Sequence, residues 1–309
     1  MNILKISDLS EDRIENIFSL ADKARENIFS LADKARARKS CLYHPVARNA
    51  EGRFLATLFF EPSTRTRLSF ETAMKSLGGQ VITVENGVSS SAMKGETLSD
   101  TLTTVSQYAD AIVVRTKDQI KPDNLKHIKV PIISAGDGDG EHPTQALLDL
   151  YTIRQHFKDH FSILFMGDLE HGRTIHSLIQ LLARYDCKIY HRCPNDRKLP
   201  PDLRALSEDA EESWEKRILP KVDVIYCSRE QKERADKPVV RYGRDYGLKA
   251  IDPNSLKKGT IVMHPLPRGD EIPTDWDQVE CAKYFEQTKN GVYVRMGILM
   301  DALELSCPA

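Results

Sequence analysis

Nothing in the 309-residue sequence approaches the uninterrupted run of about 18 apolar residues that a membrane-spanning helix requires. The opening Met1-Asn2-Ile3-Leu4-Lys5 also lacks the apolar core of a secretory signal, so the expected address is the cytoplasm. Charge of one sign is missing too: 44 Lys and Arg stand against 45 Asp and Glu, for a formal net charge of −1. A chain so balanced has no concentrated basic surface for a phosphate backbone, which argues against nucleic-acid binding while leaving room for a local anion pocket. The six cysteines (Cys41, Cys187, Cys193, Cys227, Cys281 and Cys307) form no CxxC pair and no Cys/His ligand spacing. That scatter suggests reduced thiols rather than a disulfide framework or a zinc site, so no metal is expected.

What is present is ordinary in bulk. Forty per cent apolar and 29% charged residues suit a globular protein with a sizeable core, and the length is comfortable for two domains. One repeat stands out, since residues 15–25 read ENIFSLADKAR and residues 26–36 read the same again. Eleven residues make about three helical turns, so the apolar face drifts by only about 20° per copy and one helix can absorb the duplication. Two copies do not make a solenoid.

Beyond the repeat, short apolar runs alternate with helical patterns. Runs at 54–60, 81–84, 111–114 and 130–133 read as a first series of strands, and those at 163–166, 188–190, 222–226 and 261–263 as a second. Strands alternating with helices imply parallel sheets with helices on their faces, an α/β fold in two domains. A helix over 143–157, with Pro143 in its first turn, marks the junction. A closing helix over 291–305 is placed to return to the first domain. The expected division is 1–142 with the terminal 291–309, and 143–290.

In open parallel sheets ligands sit beyond the carboxyl ends of strands. Those positions hold Ser63-Thr64-Arg65-Thr66-Arg67, Arg115, the Gly136–Gly140 run, His142 with Gln145, Arg173, Arg229 with Gln231, and His264-Pro265-Leu266-Pro267-Arg268. Most strand ends deliver an arginine or a histidine, which suits a pocket for anions. Ser63 to Arg67 is a phosphate cradle if it opens a helix, and otherwise an exposed helix start or a phosphorylation site. His142 either polarises a carbonyl oxygen or only caps its helix. Residues 229–234 are by default a solvated helical face. The small-residue loop 87–97 is either a surface loop or an arm carrying Lys94 to a site. Arg268-Gly269-Asp270 matches a cell-adhesion tripeptide by coincidence.

Taken together, FFEPSTRTRLSFE (59–71), GDGDGEHPTQALLDL (136–150), GDLEHGRTIHS (167–177) and HPLPRGDEI (264–272) resemble the aspartate/ornithine carbamoyltransferase family, in the family's order and over nearly the whole chain. The resemblance implies a carbamoyl-phosphate-binding domain at 1–142, completed by 291–309, and an aspartate-binding domain at 143–290. It implies carbamoyl transfer to the α-amine of L-aspartate, without metal or cofactor. Ser63, Thr64, Arg65, Thr66 and Arg115 would hold the phosphate, joined by Ser90 and Lys94 from a neighbouring chain. Thr66, Arg115 and His142 would polarise the carbamoyl carbonyl, while Gln145 and the backbone of Pro265 and Leu266 hold its NH₂. Arg173, Arg229 and Gln231 match the positions that take aspartate's carboxylates, with Lys94 and Leu266 beside them. The shared site implies a homotrimer, and some family members also bind separate regulatory chains. Ornithine enzymes show His-Cys-Leu-Pro where this chain has His264-Pro265-Leu266-Pro267, and two arginines would repel ornithine's ammonium. The rivals are an ornithine-type or other carbamoyltransferase and a non-catalytic relative that binds a phosphorylated metabolite. Two departures from the family are the duplicated ENIFSLADKAR and Gly269, which stands where a bulkier residue is usual.

Overall fold

The computed structural model describes residues 2–38, 49–85, 95–117, 119–138, 140–210, 214–232 and 242–305. It divides into two compact units, 1–147 with 290–309 and 148–289. The boundary falls inside the junction helix rather than at its start.

The first unit opens with helix α1 (Glu11–Arg38), which runs without a break through both copies of the repeat. Ser10 caps it, accepting the Arg13 N–H on its hydroxyl at 3.2 Å, and Glu11 and Asp12 face the positive helix end. Ile14, Ile17, Phe18, Ala21 and Ala24 form its buried stripe at helical spacing. Then come β1 (Phe54–Phe59), α2 (Thr64–Ser76), β2 (Gln80–Glu85), α3 (Leu98–Val105), β3 (Ala111–Thr116), β4 (Ile132–Asp137) and α4 (Pro143–His156), the helix that leads into the second unit. The four strands are parallel in the order β2-β1-β3-β4. Ala56, Leu58, Ile112, Val114 and Ile132 from three of them, with Leu102 of α3, make one core cluster.

The second unit contains β5 (Phe161–Met166), α5 (Arg173–Leu182), β6 (Cys187–Arg192), α6 (Pro201–Arg204), β7 (Glu208–Asp209), α7 (Trp214–Arg217), β8 (Val224–Cys227), α8 (Tyr242–Asp245) and β9 (Ile261–Met263). This sheet is also parallel, in the order β7-β6-β5-β8-β9. Leu164, Met166, Ile225, Val262, Trp214 and Trp276 centre its core. The closing helix α9 (Tyr284–Ala302) starts well before the expected residue 291. Asn290 and Gly291, both poor helix formers, lie buried inside it, where packing overrides the low propensity.

Within the first unit α9 docks on the first copy of the repeat. A Cβ on Gly297 would lie 2.3 Å from the Ile17 carbonyl oxygen and 3.2 Å from the Ala21 nitrogen, so the two backbones touch there. Arg13 and Asp301, both largely buried, pair beside that crossing at 2.8 Å, and Asn16 donates to the same carboxylate at 3.1 Å.

Both sheets change direction once. The chain leaves β1 to one side for β2 and to the other for β3; it leaves β5 to one side for β6 and to the other for β8. Ligand crevices form at such reversals, beyond the carboxyl ends of the strands. The ends of β1 and β3, and of β5 and β8, are therefore the places to look.

Candidate functional site

At the first reversal, β1 leads through Glu61 and Pro62 into α2. Ser63 occupies the N-cap position, yet its side chain makes no capping bond, and no acidic residue occupies the helix's first turn. The positive end of the helix is thus left to Ser63, Thr64, Arg65 and Thr66, with Thr64 and Arg65 exposed and Thr66 buried. Arg67 is committed elsewhere: it pairs with Glu71 at 2.9 Å and with Glu85 at 2.7 Å.

Arg115 lies opposite Phe59 at the end of β3. Its guanidinium is fixed by the Ala135 carbonyl at 3.1 Å and by the Glu61 carboxylate at 3.4 Å. The sequence signal for Glu61, an acid before Pro62, was present but carried no chemistry by itself. The β4 strand runs on into Gly136 and Asp137, and the Gly138 N–H then donates to the Thr116 carbonyl at 2.9 Å, folding the glycine run over the end of β3. His142 follows and does cap α4: its carbonyl accepts the N–H groups of Gln145 and Ala146 at 3.0 and 3.2 Å. The imidazole itself is buried, at 4% exposure. These cap bonds are made by the His142 backbone carbonyl, so closing the first turn of α4 does not depend on the imidazole. Ser90 and Lys94 lie outside the described residues.

At the second reversal two segments are tied together by one carboxylate. Asp168, fully buried after β5, accepts the backbone N–H of His171 at 3.1 Å and that of Gln231 at 3.1 Å. The Gln231 amide returns a bond to the His171 carbonyl at 2.7 Å. Arg173, nine-tenths buried, starts α5 just beyond, and Arg229 follows β8 with a bond to the Glu230 carbonyl at 3.0 Å. Residues 228–231 are not helical and Glu230 is buried, which rules out the default alternative of a solvated helical face at these positions. Their conformation is set by Asp168. A buried acid is indistinguishable from a surface acid in sequence, and Asp168 was not among the residues expected in the site.

The loop after β9 is held by a further set of buried bonds. Asp149 accepts Tyr226 Oη at 2.8 Å and the Gln287 amide at 2.6 Å, and Gln287 in turn accepts the His264 N–H at 2.9 Å. The Leu266 N–H donates to His264 Nδ1 at 2.8 Å, which leaves the imidazole proton on Nε2, 3.0 Å from Glu271. Leu266 has φ of 51°, and its peptide bond to Pro267 is cis. With the Leu266 N–H consumed, and none on Pro265, only two carbonyl oxygens remain to meet a ligand here, and both are acceptors. Arg268 is paired to Asp277, whose carboxyl is held down to about 2 by hydrogen bonds from Arg268 and Tyr284. Gly269 donates its N–H to Glu271 at 2.7 Å, and a Cβ there would approach the same carboxylate at 3.0 Å.

Burial alone would raise the Glu271 pKa, but hydrogen bonds, from His264 first and then from the Gly269 N–H, outweigh it and hold the carboxyl below the ordinary 4.5. A depressed carboxyl stabilises the fold above its unfolded value, and that contribution fades as the pH falls through the folded one. Urea midpoints of the wild type are therefore expected to drop from about pH 4.5 downward, more steeply than those of Glu271→Gln. Equal slopes would remove Glu271 from the acid response.

The described residues contain no group of three His, Cys, Asp or Glu side chains placed to hold a metal ion, and no helix among them is long and apolar enough to cross a membrane.

Two family models match the chain. The aspartate/ornithine carbamoyltransferase carbamoyl-P binding domain matches residues 1–155, and the Asp/Orn binding domain matches residues 159–301. The sequence is 42% identical over 317 aligned positions to the aspartate carbamoyltransferase catalytic subunit of Methanothrix thermoacetophila, covering 98% of each chain. It is 46% identical over 262 residues to that of Archaeoglobus fulgidus, covering 83% of this chain and 88% of the relative. Among solved structures, the catalytic subunit of M. jannaschii aspartate transcarbamoylase superposes with a TM-score of 0.83 at 40% identity, over 98% of both chains. Trypanosoma cruzi aspartate transcarbamoylase in complex with aspartate and phosphate superposes with a TM-score of 0.81 at 34% identity, over 97% of this chain and 94% of that one.

Proposed function

Since the chain belongs to the aspartate/ornithine carbamoyltransferase family, we propose that it transfers the carbamoyl group of carbamoyl phosphate to the α-amine of L-aspartate, giving N-carbamoyl-L-aspartate and phosphate. The observation that carries the choice of aspartate is the second reversal, where Asp168 and Gln231 tie together the segments bearing Arg173 and Arg229. Two guanidinium groups on the segments that follow adjacent strands suit a dicarboxylate and oppose the side-chain ammonium of ornithine. The proline at 265, where ornithine enzymes carry cysteine, supports the same choice.

The residues divide by chemistry. Ser63, Thr64, Arg65 and Thr66 at the start of α2, with Arg115, are assigned to the phosphate, whose charge the helix end and the guanidinium forks attract. Thr66, Arg115 and His142 are assigned to the carbonyl oxygen, which gains negative charge when the amine attacks. Gln145 and the carbonyl oxygens of Pro265 and Leu266 accept from the carbamoyl NH₂. Arg173, Arg229 and Gln231 take the carboxylates of aspartate, with Leu266 alongside. The deprotonated amine adds to the carbonyl carbon, and phosphate leaves from the tetrahedral intermediate. Positioning and charge stabilisation supply the rate, with no covalent enzyme intermediate. Departing phosphate is itself basic enough to take the amine proton, and no side chain is assigned as general base.

We further infer a homotrimer in which Ser90 and Lys94 complete a neighbour's phosphate site, a cytoplasmic location and a place early in pyrimidine biosynthesis. The "catalytic subunit" name of the relatives supports an assembly, with or without regulatory chains. Light scattering of the purified chain is expected to give the mass of three copies.

The deciding assay offers carbamoyl phosphate with aspartate and, in parallel, with ornithine. Product with aspartate alone is expected. Product with ornithine alone would keep the phosphate half and discard the substrate assignment. No product from a well-folded trimer would favour the non-catalytic reading.

A further inference from the structure

Tyr242, the first residue of α8, is buried and lies outside every motif that pointed to the family. Its hydroxyl accepts the backbone N–H of Asp168 and donates to the Ser228 carbonyl at 2.7 Å. One phenol thus bridges the second residue beyond β5 and the first beyond β8, at the reversal point itself. Gly167 makes the room: its φ is +117°, and a Cβ there would stand 2.4 Å from both the Tyr242 oxygen and the Ser228 carbonyl. Burial also pushes the phenol's pKa well up, so it stays protonated and able to donate.

The other end of α8 is pinned independently. Arg192, at the end of β6, donates to the Asp245 carbonyl, and its guanidinium lies over both the Trp214 and the Tyr246 ring, 4.5 and 4.7 Å from their centroids. Contact with two aromatic rings restrains a guanidinium. Tyr242 is therefore presented to the two strand ends from a short helix that is anchored on the same sheet.

We propose that Tyr242 is a positioning residue for the amino-acid subsite: its hydroxyl locks the Asp168 and Ser228 backbones together and thereby sets the spacing between the Arg173 and Arg229 segments. The proposal rests on the reading of the second unit as the aspartate-binding one. Asp168 is the intermediary, because its carboxylate holds the Gln231 N–H while its own N–H is held by Tyr242. Releasing that N–H frees the carboxylate's backbone to move and leaves two buried backbone groups without their partner, the costly situation for a hydrogen bond.

The test is Tyr242→Phe, which keeps the ring and deletes only the bridge. Its control is Thr260→Val, which removes a buried hydroxyl bond, to the Val222 carbonyl at 2.8 Å, at the opposite end of the same sheet. Both variants are expected to melt lower. Only Tyr242→Phe is expected to raise the KM for aspartate, by about tenfold, with the KM for carbamoyl phosphate steady. Amide hydrogen exchange, which needs no turnover, is expected to speed up at Asp168 and Gln231 in Tyr242→Phe and to stay slow there in Thr260→Val. Unchanged exchange at those amides overturns the bridge, and faster exchange with an unmoved aspartate KM overturns the positioning role. A wild-type chain that makes no carbamoyl aspartate would sink the functional reading on its own, with the exchange result still deciding whether Tyr242 holds the two strand ends together.

Discussion

His142→Ala is expected to lower turnover by about 10²–10³-fold while the protein keeps its fold. The two halves of that expectation come from different parts of the residue. The backbone carbonyl closes the first turn of α4 by accepting from Gln145 and Ala146, and Pro143 fixes the following φ; neither depends on the side chain. Alanine leaves that cap in place. The imidazole, at 4% exposure, sits where water does not compete, so a hydrogen bond from it to a developing oxyanion is worth far more than it would be in solvent. That bond strengthens as charge builds on the carbonyl oxygen, so its loss should appear in kcat more than in the KM for carbamoyl phosphate. Circular dichroism and the melting curve separate a folding defect from a chemical one. Near-normal turnover in a well-folded His142→Ala would remove the residue from the carbonyl assignment.

Gly297→Ala sets two opposing effects against each other. Alanine should strengthen an α-helix by about 1 kcal/mol relative to glycine, and on propensity alone the variant would be more stable. The added Cβ, however, would stand 2.3 Å from the Ile17 carbonyl oxygen. That neighbour is the backbone of α1, which cannot swing aside as a side chain would. Overpacking of this kind costs about 1–3 kcal/mol or more, and the Arg13–Asp301 pair beside the contact would be pulled out of register as the helices part. We expect a net loss of about 2 kcal/mol, read as a melting point lower by roughly 4–8 °C. A higher melting point would show that propensity wins and that the two helices do not touch at this glycine.

Much of this fold was open to reading. The apolar runs at 111–114 and 163–166 had to be buried strands, and both lie inside strands of the structure. Parallel sheets followed from the alternation of strand and helix. Strand order was not readable, because the register of parallel strands depends on contacts far apart in the chain. Arg229 and Gln231 stand out by their place after a strand, yet the conformation of their segment is not legible, because its polar residues equally suit a solvated helical face. What shapes it is Asp168, distant in sequence and fully buried. Tyr242 gave no signal at all, since a single aromatic in a polar stretch reads as surface. Chemistry at strand ends is legible in residue type; what holds the chemistry in place is legible only in contacts.

Helix α1, 28 residues without a break, behaves like a screw cut with an extra length of thread. Its docked part is the first copy, where Ile17 and Ala21 meet Gly297. Adding a whole copy advances the helix by about 16 Å and turns it by only about 20°. Inserting one residue at the same place would turn everything beyond it by about 100°. The permitted edits of this end of the protein are therefore indexed: changes of eleven residues pass, and changes of one or two do not. A tag or spacer meant to extend the helix should be cut to the same pitch.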